Sequence, residues 1–523
     1  MPDLESQIRG ARPDWPVPPD ALEDRILRAA GLSGPAARAL TPSGWVNRGL
    51  RSRRVRLILV GAVLAGSGAA LAVALVGRGG TEAPGARASL AFDPAEVVGD
   101  LPGYDTSLDA AVDGAGRTAV VWTRGGRVVV STRPAGGAWS TAVRLSDPAR
   151  RAAYPRIGVD GSGRFTVIWR EQLLGREVSR DFTLPDGSAA GTLEGRVGTR
   201  WRIASRTTTP GAGWGEVEEV SEPTQALRAV YRPQLEVSRS GVATAVFAVD
   251  GAAWSARRSP GGDWAREKIG ATPGSAVDLR LEGDRRSGAT IVTWQARVID
   301  PRTGPQWRAW VSVGGASGSW SAPHQLGAAG IGKRLAASAI ARDGTAVVGW
   351  VDGAFVATVR DPSGAWSPAT RALAPPSTEA QVNDPPAVGV DGRGVPALVG
   401  VYYRVEPFPG GYSSTPLTPR LVRWGNGSWG APREIGGSPL SLAIVPDAAG
   451  GLVVSSSARN ARVRLIAPDG TVGGETTVRL GGASPSRLAV GDDGTSVLVG
   501  LRQVRTRDGF EVVASVAPGG GEP

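Results

Sequence analysis

The chain has 523 residues, with 75 Gly, 40 Pro, 17 Trp, one His and no Cys, and it carries a formal net charge of +11. Without Cys there is no disulfide, no thiol nucleophile and no thiolate metal site. A single His cannot supply the converging ligands that a transition metal needs, so neither a cofactor nor a metal is expected. The sequence holds no G-x-x-x-x-G-K-S/T phosphate cradle and no EF-hand loop. Of the charge, +4 falls in the first 56 residues, which hold ten basic against six acidic side chains. The remainder is too dilute to predict nucleic acid as a partner.

Residues 1–50 read as a separate stub. "PPDALEDRILRAAGLSG" predicts a short helix from Asp20 to Ala30, with Asp20 as its N-cap, Leu22, Ile26 and Leu27 on one face, and Gly31 as its stop. A helix of this length needs a partner to persist, and a cytoplasmic protein is the expected one. The simpler alternative is a solvated tail.

Residues 51–78 decide the expected compartment. Leu57 to Val76 is an uncharged apolar run without proline, about 30 Å long as a helix, which is enough to span a bilayer. Arg48, Arg51, Arg53, Arg54 and Arg56 stand before it and Arg78 alone stands close behind. The positive-inside rule then predicts a single-pass anchor in the cell membrane, with the N-terminus cytoplasmic and the rest extracellular. A cleaved signal peptide is the rival reading. With 57 Arg against two Lys, the composition looks like that of a GC-rich bacterium.

After a linker at 79–91, one phrase recurs through residues 92–516, ahead of a tail at 517–523. It is a short apolar run, a Gly/Asp turn, a second run often ending in Trp, a third run, and a Gly-rich turn leading to another Trp. The first turns fall at Gly116, Gly163, Gly241, Gly288, Gly344, Gly394, Gly450 and Gly494. The closing Trp residues are Trp139, Trp214, Trp264, Trp320, Trp366 and Trp429. A seventh copy is degenerate near Thr476, and the eighth lacks its closing part. That part stands at the front, where "FDPAEVVGDLPGYD" from Phe92 lines up with "WSTAVRLSDPARRAAY" from Trp139. A strand from the N-terminal end would complete a sheet whose other strands come from the C-terminal end, and such pairing removes open edges. The fold predicted is therefore all-β, an eight-bladed β-propeller of four-stranded antiparallel blades, seven being possible if the weak copy is misread. Asp113, Asp160 and Asp391 read as turn residues, and the Trp series as filling between sheets.

Long insertions occur at Glu171–Arg200, Arg297–Gln306 and Arg404–Arg420, all on the rim where each outer strand connects to the next inner strand. Long loops in compact folds tend to carry function. The candidate ligand-binding residues on that rim are Tyr104, Arg151, Tyr154, Arg156, Tyr231, Arg232, Arg334, Asp384, Tyr402, Arg404 and Arg487, because Tyr and Arg are favoured interface anchors. The bland alternative is solvated loop residues. His324, in "WSAPHQL", falls on a predicted outer strand where it serves no triad.

"TRPAGGAW", from Thr132 to Trp139, resembles the Asp-box of sialidase-like propellers, S/T-x-D-x-G-x-x-W, at Thr132, Gly136 and Trp139, although Pro134 stands at the Asp position. "SPGGDW", "DPSGAW" and "GASGSW" keep less of it. The chain as a whole resembles membrane-anchored β-propeller proteins of actinobacteria. Its stub looks like juxtamembrane segments of that group, some anti-sigma factors among them, without their zinc-binding His/Cys motif. The Asp-box is a fold-stabilising turn, so the resemblance implies fold rather than activity. Tyr402, Tyr403, Arg404 and Glu406 offer residue types that sialidases use, with no motif to place them. The function expected is a non-catalytic recognition or scaffold module for a protein or an anionic cell-envelope glycan, and not an enzyme. Two alternatives are a glycan-active, sialidase-like hydrolase and a transmembrane sensor that signals through the stub. The hydrolase predicts two carboxyls roughly 5–9 Å apart in the central funnel with Arg beside them, whereas the binding module predicts no buried carboxylate pair.

Overall fold

The computed structural model describes residues 90–523 apart from 103–106, 184–188, 198, 210–212, 225–231, 273, 301–303, 316–317, 331–333, 383, 409–410, 437–440, 448, 458–459, 482–483, 505–508 and 520–523. The stub, the Leu57–Val76 run, Tyr104 and Tyr231 lie outside the described residues. Among the described residues every regular element is a strand, and no helix is long and apolar enough to cross a membrane.

The strands form antiparallel sheets, mostly of four strands taken in chain order. Eight of the sheets begin with an inner strand. These are Leu108–Val112, Arg151–Val159, Gln234–Val237, Ser275–Gly283, Arg334–Ile340, Ala387–Val390, Ser441–Pro446 and Ser484–Val490, and they number the sheets from first to eighth in chain order. Each inner strand packs beside the next, and that of the eighth sheet packs beside that of the first. The eighth sheet runs Ser484–Val490, Ser496–Gln503, Gly509–Ala517 and then Glu96–Pro102. Glu96 lies opposite Ala514 and Pro102 opposite Gly509, while the Asp93 N–H donates to the Val516 carbonyl at 2.8 Å. The two ends of the sheet region thus share one sheet, which satisfies edges that would otherwise stay open.

Local chemistry explains the repeat. The eight turn glycines, from Gly116 to Gly494, all adopt φ between 74° and 86°, a left-handed conformation that costs glycine little and other residues more. The turn Asp residues hold the backbone around them. Asp113 Oδ1 accepts from the N–H groups of Ala115 at 2.9 Å and Arg117 at 2.8 Å, and Asp160 and Asp391 repeat the pattern. The second strands, such as Thr118–Arg124, are buried nearly throughout. Neighbouring sheets cover both of their faces, so they read as apolar runs without alternation.

The closing Trp residues stitch each sheet to the one before. Trp264 Nε1 donates to Ser205 Oγ of the second sheet at 3.1 Å, and Trp320 Nε1 donates to Ser255 Oγ of the third at 2.9 Å. Trp366 of the fifth sheet stacks on His324 of the fourth, with ring centroids 5.6 Å apart. Trp264→Phe keeps the filling and deletes the donor, so it is expected to cost about 1 kcal/mol in chemical denaturation. A loss near zero would show that the indole serves by volume alone.

The long insertions form hairpins between second and third strands. Thr290–Asp300 and Gly304–Gly314 extend the fourth sheet, Arg176–Thr183 pairs with Ala189–Val197, and Tyr403–Phe408 pairs with Gly411–Pro416 and Ala380–Gln381.

Candidate functional site

A cavity of about 660 Å³ lies at the centre of the ring, lined by residues of all eight inner strands and of the turns that follow them. Its volume falls in the range of small-molecule sites, roughly 300–1,000 Å³. It gathers at the ends of the inner strands. The sequence pointed instead to the insertion-rich rim, where those strands begin.

Two carboxyls face this cavity from adjacent sheets, Glu236 on Gln234–Val237 and Glu282 on Ser275–Gly283. The Glu236 stem lies against Gly283, where any Cβ would stand only 3.2 Å from Glu236 Cγ. Glu236 is half-buried and Glu282 is exposed to the cavity, whose walls surround both. Burial and the neighbouring Glu282 push Glu236 well above the ordinary carboxylate range, while Arg487 and Arg285 oppose the rise. Burial also raises Glu282, against the pull of Arg487, Arg280 and Arg156. Two raised carboxyls set side by side in this way titrate as a pair, and the first of them to ionise makes ionisation of the other harder.

Irregularities in the strands set the guanidinium groups beside the pair. The register shifts between Ala153 and Arg156, between Val277 and Arg280, and between Pro485 and Arg487. In three inner strands, then, an arginine is the first paired residue after a bulge, a device that re-aims side chains. Tyr154 and Asp278, inside two of these bulges, have φ of 55° and 51°. Arg487 Nε lies 2.7 Å from Asp109 Oδ1, and Asp109 Oδ2 accepts from the Ile157 N–H at 3.1 Å. The ion pair raises Arg487 above its ordinary range. Arg156 donates from Nε to Gln234 Oε1 at 3.3 Å and is lowered by burial.

The turn end of the cavity is partly bridged. Arg239 Nε lies 2.7 Å from Asp492 Oδ2, joining the third sheet to the eighth. Arg285 donates to the Val159 carbonyl at 2.7 Å and to the Val112 carbonyl at 3.5 Å.

Of the residues singled out in the sequence, Arg156 and Arg487 come together with the carboxyl pair. Tyr154 belongs to a stack at the start of the second inner strand. Arg170 lies over the Tyr154 and Trp201 rings, at 4.6 and 4.3 Å from their centroids, and Arg232 lies over Tyr154 at 5.2 Å. Arg151 and Arg404 are exposed, and Arg334 begins the fifth inner strand. Asp384 accepts from the Tyr403 hydroxyl, which burial and that carboxylate push upward. Tyr402 requires a correction. It is 2% exposed, donates to the Leu373 carbonyl at 2.7 Å and meets Phe355 edge-on, so it belongs to the core and has no face left for a ligand. Glu236, Glu282 and Asp109 were not among the sequence candidates. Their signal was a carboxylate on an inner strand whose alternate residues are apolar and buried.

No protein-family model matches the chain, and no curated protein matches it. Similar solved structures include a lectin, BP39L, from Burkholderia pseudomallei, at 16% identity over 72% of this chain and 100% of that one, with a TM-score of 0.42. Polysaccharide lyase Uly1 is 11% identical over 84% of this chain and 93% of that one, with a TM-score of 0.43. The α-L-arabinofuranosidase Arb93A from Fusarium graminearum is 12% identical over 55% of this chain and 92% of that one, with a TM-score of 0.36. The expectation that the chain is not an enzyme is corrected here. A pair of carboxyls with arginines beside it, which a binding module was expected to lack, faces the central cavity at Glu236 and Glu282.

Proposed function

We propose that the eight sheets are the blades of a closed propeller and that its central cavity is the active centre of a glycan-cleaving hydrolase. The carboxyl pair with its arginines carries this reading. Glycoside hydrolysis asks for one carboxyl that keeps its proton to protonate the leaving oxygen. It asks for another that is ionised, either to attack the anomeric carbon or to take a proton from water. Glu282, with Arg487, Arg280 and Arg156 beside it to favour its charge, supplies the carboxylate, and Glu236 the acid. Arg487 and its bulge-set neighbours favour the ionised form of Glu282, and that carboxylate faces the positive charge of the oxocarbenium-like transition state. On this reading Leu57–Val76 would hold the propeller at the outer face of a membrane, where envelope glycans are at hand.

Incubation of the full chain with a panel of neutral, uronate-bearing and sulfated polysaccharides tests it, with new reducing ends and the ultraviolet absorbance of unsaturated sugars followed together. Hydrolysis gives reducing ends without unsaturation. Unsaturated products would replace hydrolysis with elimination, and no new ends on any polymer would overturn the reading.

A further inference from the structure

Asp109 is 2% exposed and joins three sheets. It belongs to the first inner strand, receives an N–H from Ile157 on the second and contacts Arg487 on the eighth. Arg487 itself lines the cavity beside Glu236 and Glu282. The side chain is long, and the register irregularity just before it frees its stem from the sheet's normal alternation. Without a fixed point on its Nε edge the guanidinium has the rotamer freedom to leave. Asp109 supplies that point from a carboxylate that a backbone amide already holds.

We propose that Asp109 is a positioning residue, which acts by clamping Arg487 so that its guanidinium stays at the Glu236–Glu282 pair. The proposal rests on the pair being the reactive centre, but its test does not require turnover. The charged groups facing the pair are Arg487, Arg285, Arg280, Arg156 and Asp109 itself. Their signs make the outcome decisive. Removing the negative charge of Asp109 and nothing else lowers the pair's affinity for its proton, because that charge opposes ionisation. Releasing Arg487 does the reverse, because its positive charge is the largest influence favouring ionisation of either carboxyl.

The experiment is a pH titration of the glutamate side-chain carbons by NMR in the full chain labelled with ¹³C-glutamate, with E236Q and E282Q assigning the two signals. D109N is expected to move the titration of the pair upward by about one pH unit, in the same direction as R487Q. In the R487Q background D109N should instead move it downward, since only the charge effect is left. A downward shift for D109N alone, or equal shifts in both backgrounds, would overturn the proposal. If D109N fails to fold, R487K decides. Lys keeps the charge but lacks the Nε edge, so the pair should still rise, and an unchanged titration would sink the idea. These results stand whether or not a glycan is cleaved, so failure here is separate from failure of the hydrolase reading.

Discussion

Glu236→Gln and Glu282→Gln are each expected to lower glycan cleavage by about 10²–10⁴-fold, the usual contribution of a positioned acid or base. Wild-type activity should follow a bell-shaped pH profile. Its acid limb reports ionisation of the pair's first proton and its alkaline limb the loss of the second, the alkaline limb lying above the ordinary carboxylate range. E236Q should abolish the alkaline limb, because an amide neither gives nor loses that proton. Stability should move the other way. A carboxyl whose pKa is raised in the folded state binds its proton more tightly there than in the unfolded chain. Its contribution is therefore full below the unfolded pKa and declines as pH rises through the folded one. E236Q removes that decline, so its Tm relative to wild type should increase between mildly acidic and mildly alkaline buffer. A residue retained at the expense of stability marks a functional site. Turnover within a few-fold of wild type, or a Tm difference flat across pH, would dismiss the pair as the centre.

The frame of the molecule was legible because turns announce themselves. A Gly that must be left-handed, an Asp that ties two amides and a Trp that fills one gap per sheet are local requirements, and local requirements leave marks in sequence. The ring closure was legible for the same reason. Phe92 occupies the place that Trp139 holds one unit later, and it packs into the core cluster shared by the seventh and eighth sheets. The site was harder to read. Strand reasoning assumes that faces alternate every second residue, and a bulge breaks that count at the residues that matter. Arg156, Arg280 and Arg487 are placed by such breaks. Glu236 and Glu282 could have been found, since "QLEV" and "RLEG" each put a carboxylate on an inner strand with apolar neighbours, where only a channel would tolerate it. Tyr402 misled for the opposite reason. Beside Arg404 it looked like a rim anchor, but Gly400 clears space for Phe355, to 2.5 Å of where a Cβ would be. That aromatic pocket then takes the tyrosine ring, while the hydroxyl finds a carbonyl.

Trp122→Ala should be the most damaging single truncation for the closed ring. The indole is fully buried in the first sheet and packs in one cluster with Val497, Val499, Val512 and Ala514 of the eighth, and with Val98 and Leu101 of the closing strand. Its Nε1 donates to the Asp100 carbonyl at 3.0 Å, and Gly99 leaves it room, since a Cβ there would fall 2.5 Å from Trp122 Cζ2. Truncation forfeits the burial of a large aromatic, leaves a cavity and orphans a carbonyl, for a cost of about 3–5 kcal/mol in chemical denaturation. Trp350 is a fair comparison, being buried to 2% exposure between internal sheets. Trp350→Ala should cost a similar amount, because the lost volume is the same. The two should differ in where the molecule loosens. Trp122→Ala opens the seam between the chain's ends, so hydrogen exchange should quicken by about 10-fold or more across Glu96–Pro102 and Gly509–Ala517 while the inner sheets stay protected. Trp350→Ala should leave that seam unchanged. Equal exchange at the seam in both variants would mean that the ring is held as one cooperative body, with no weak joint where the first and last strands meet.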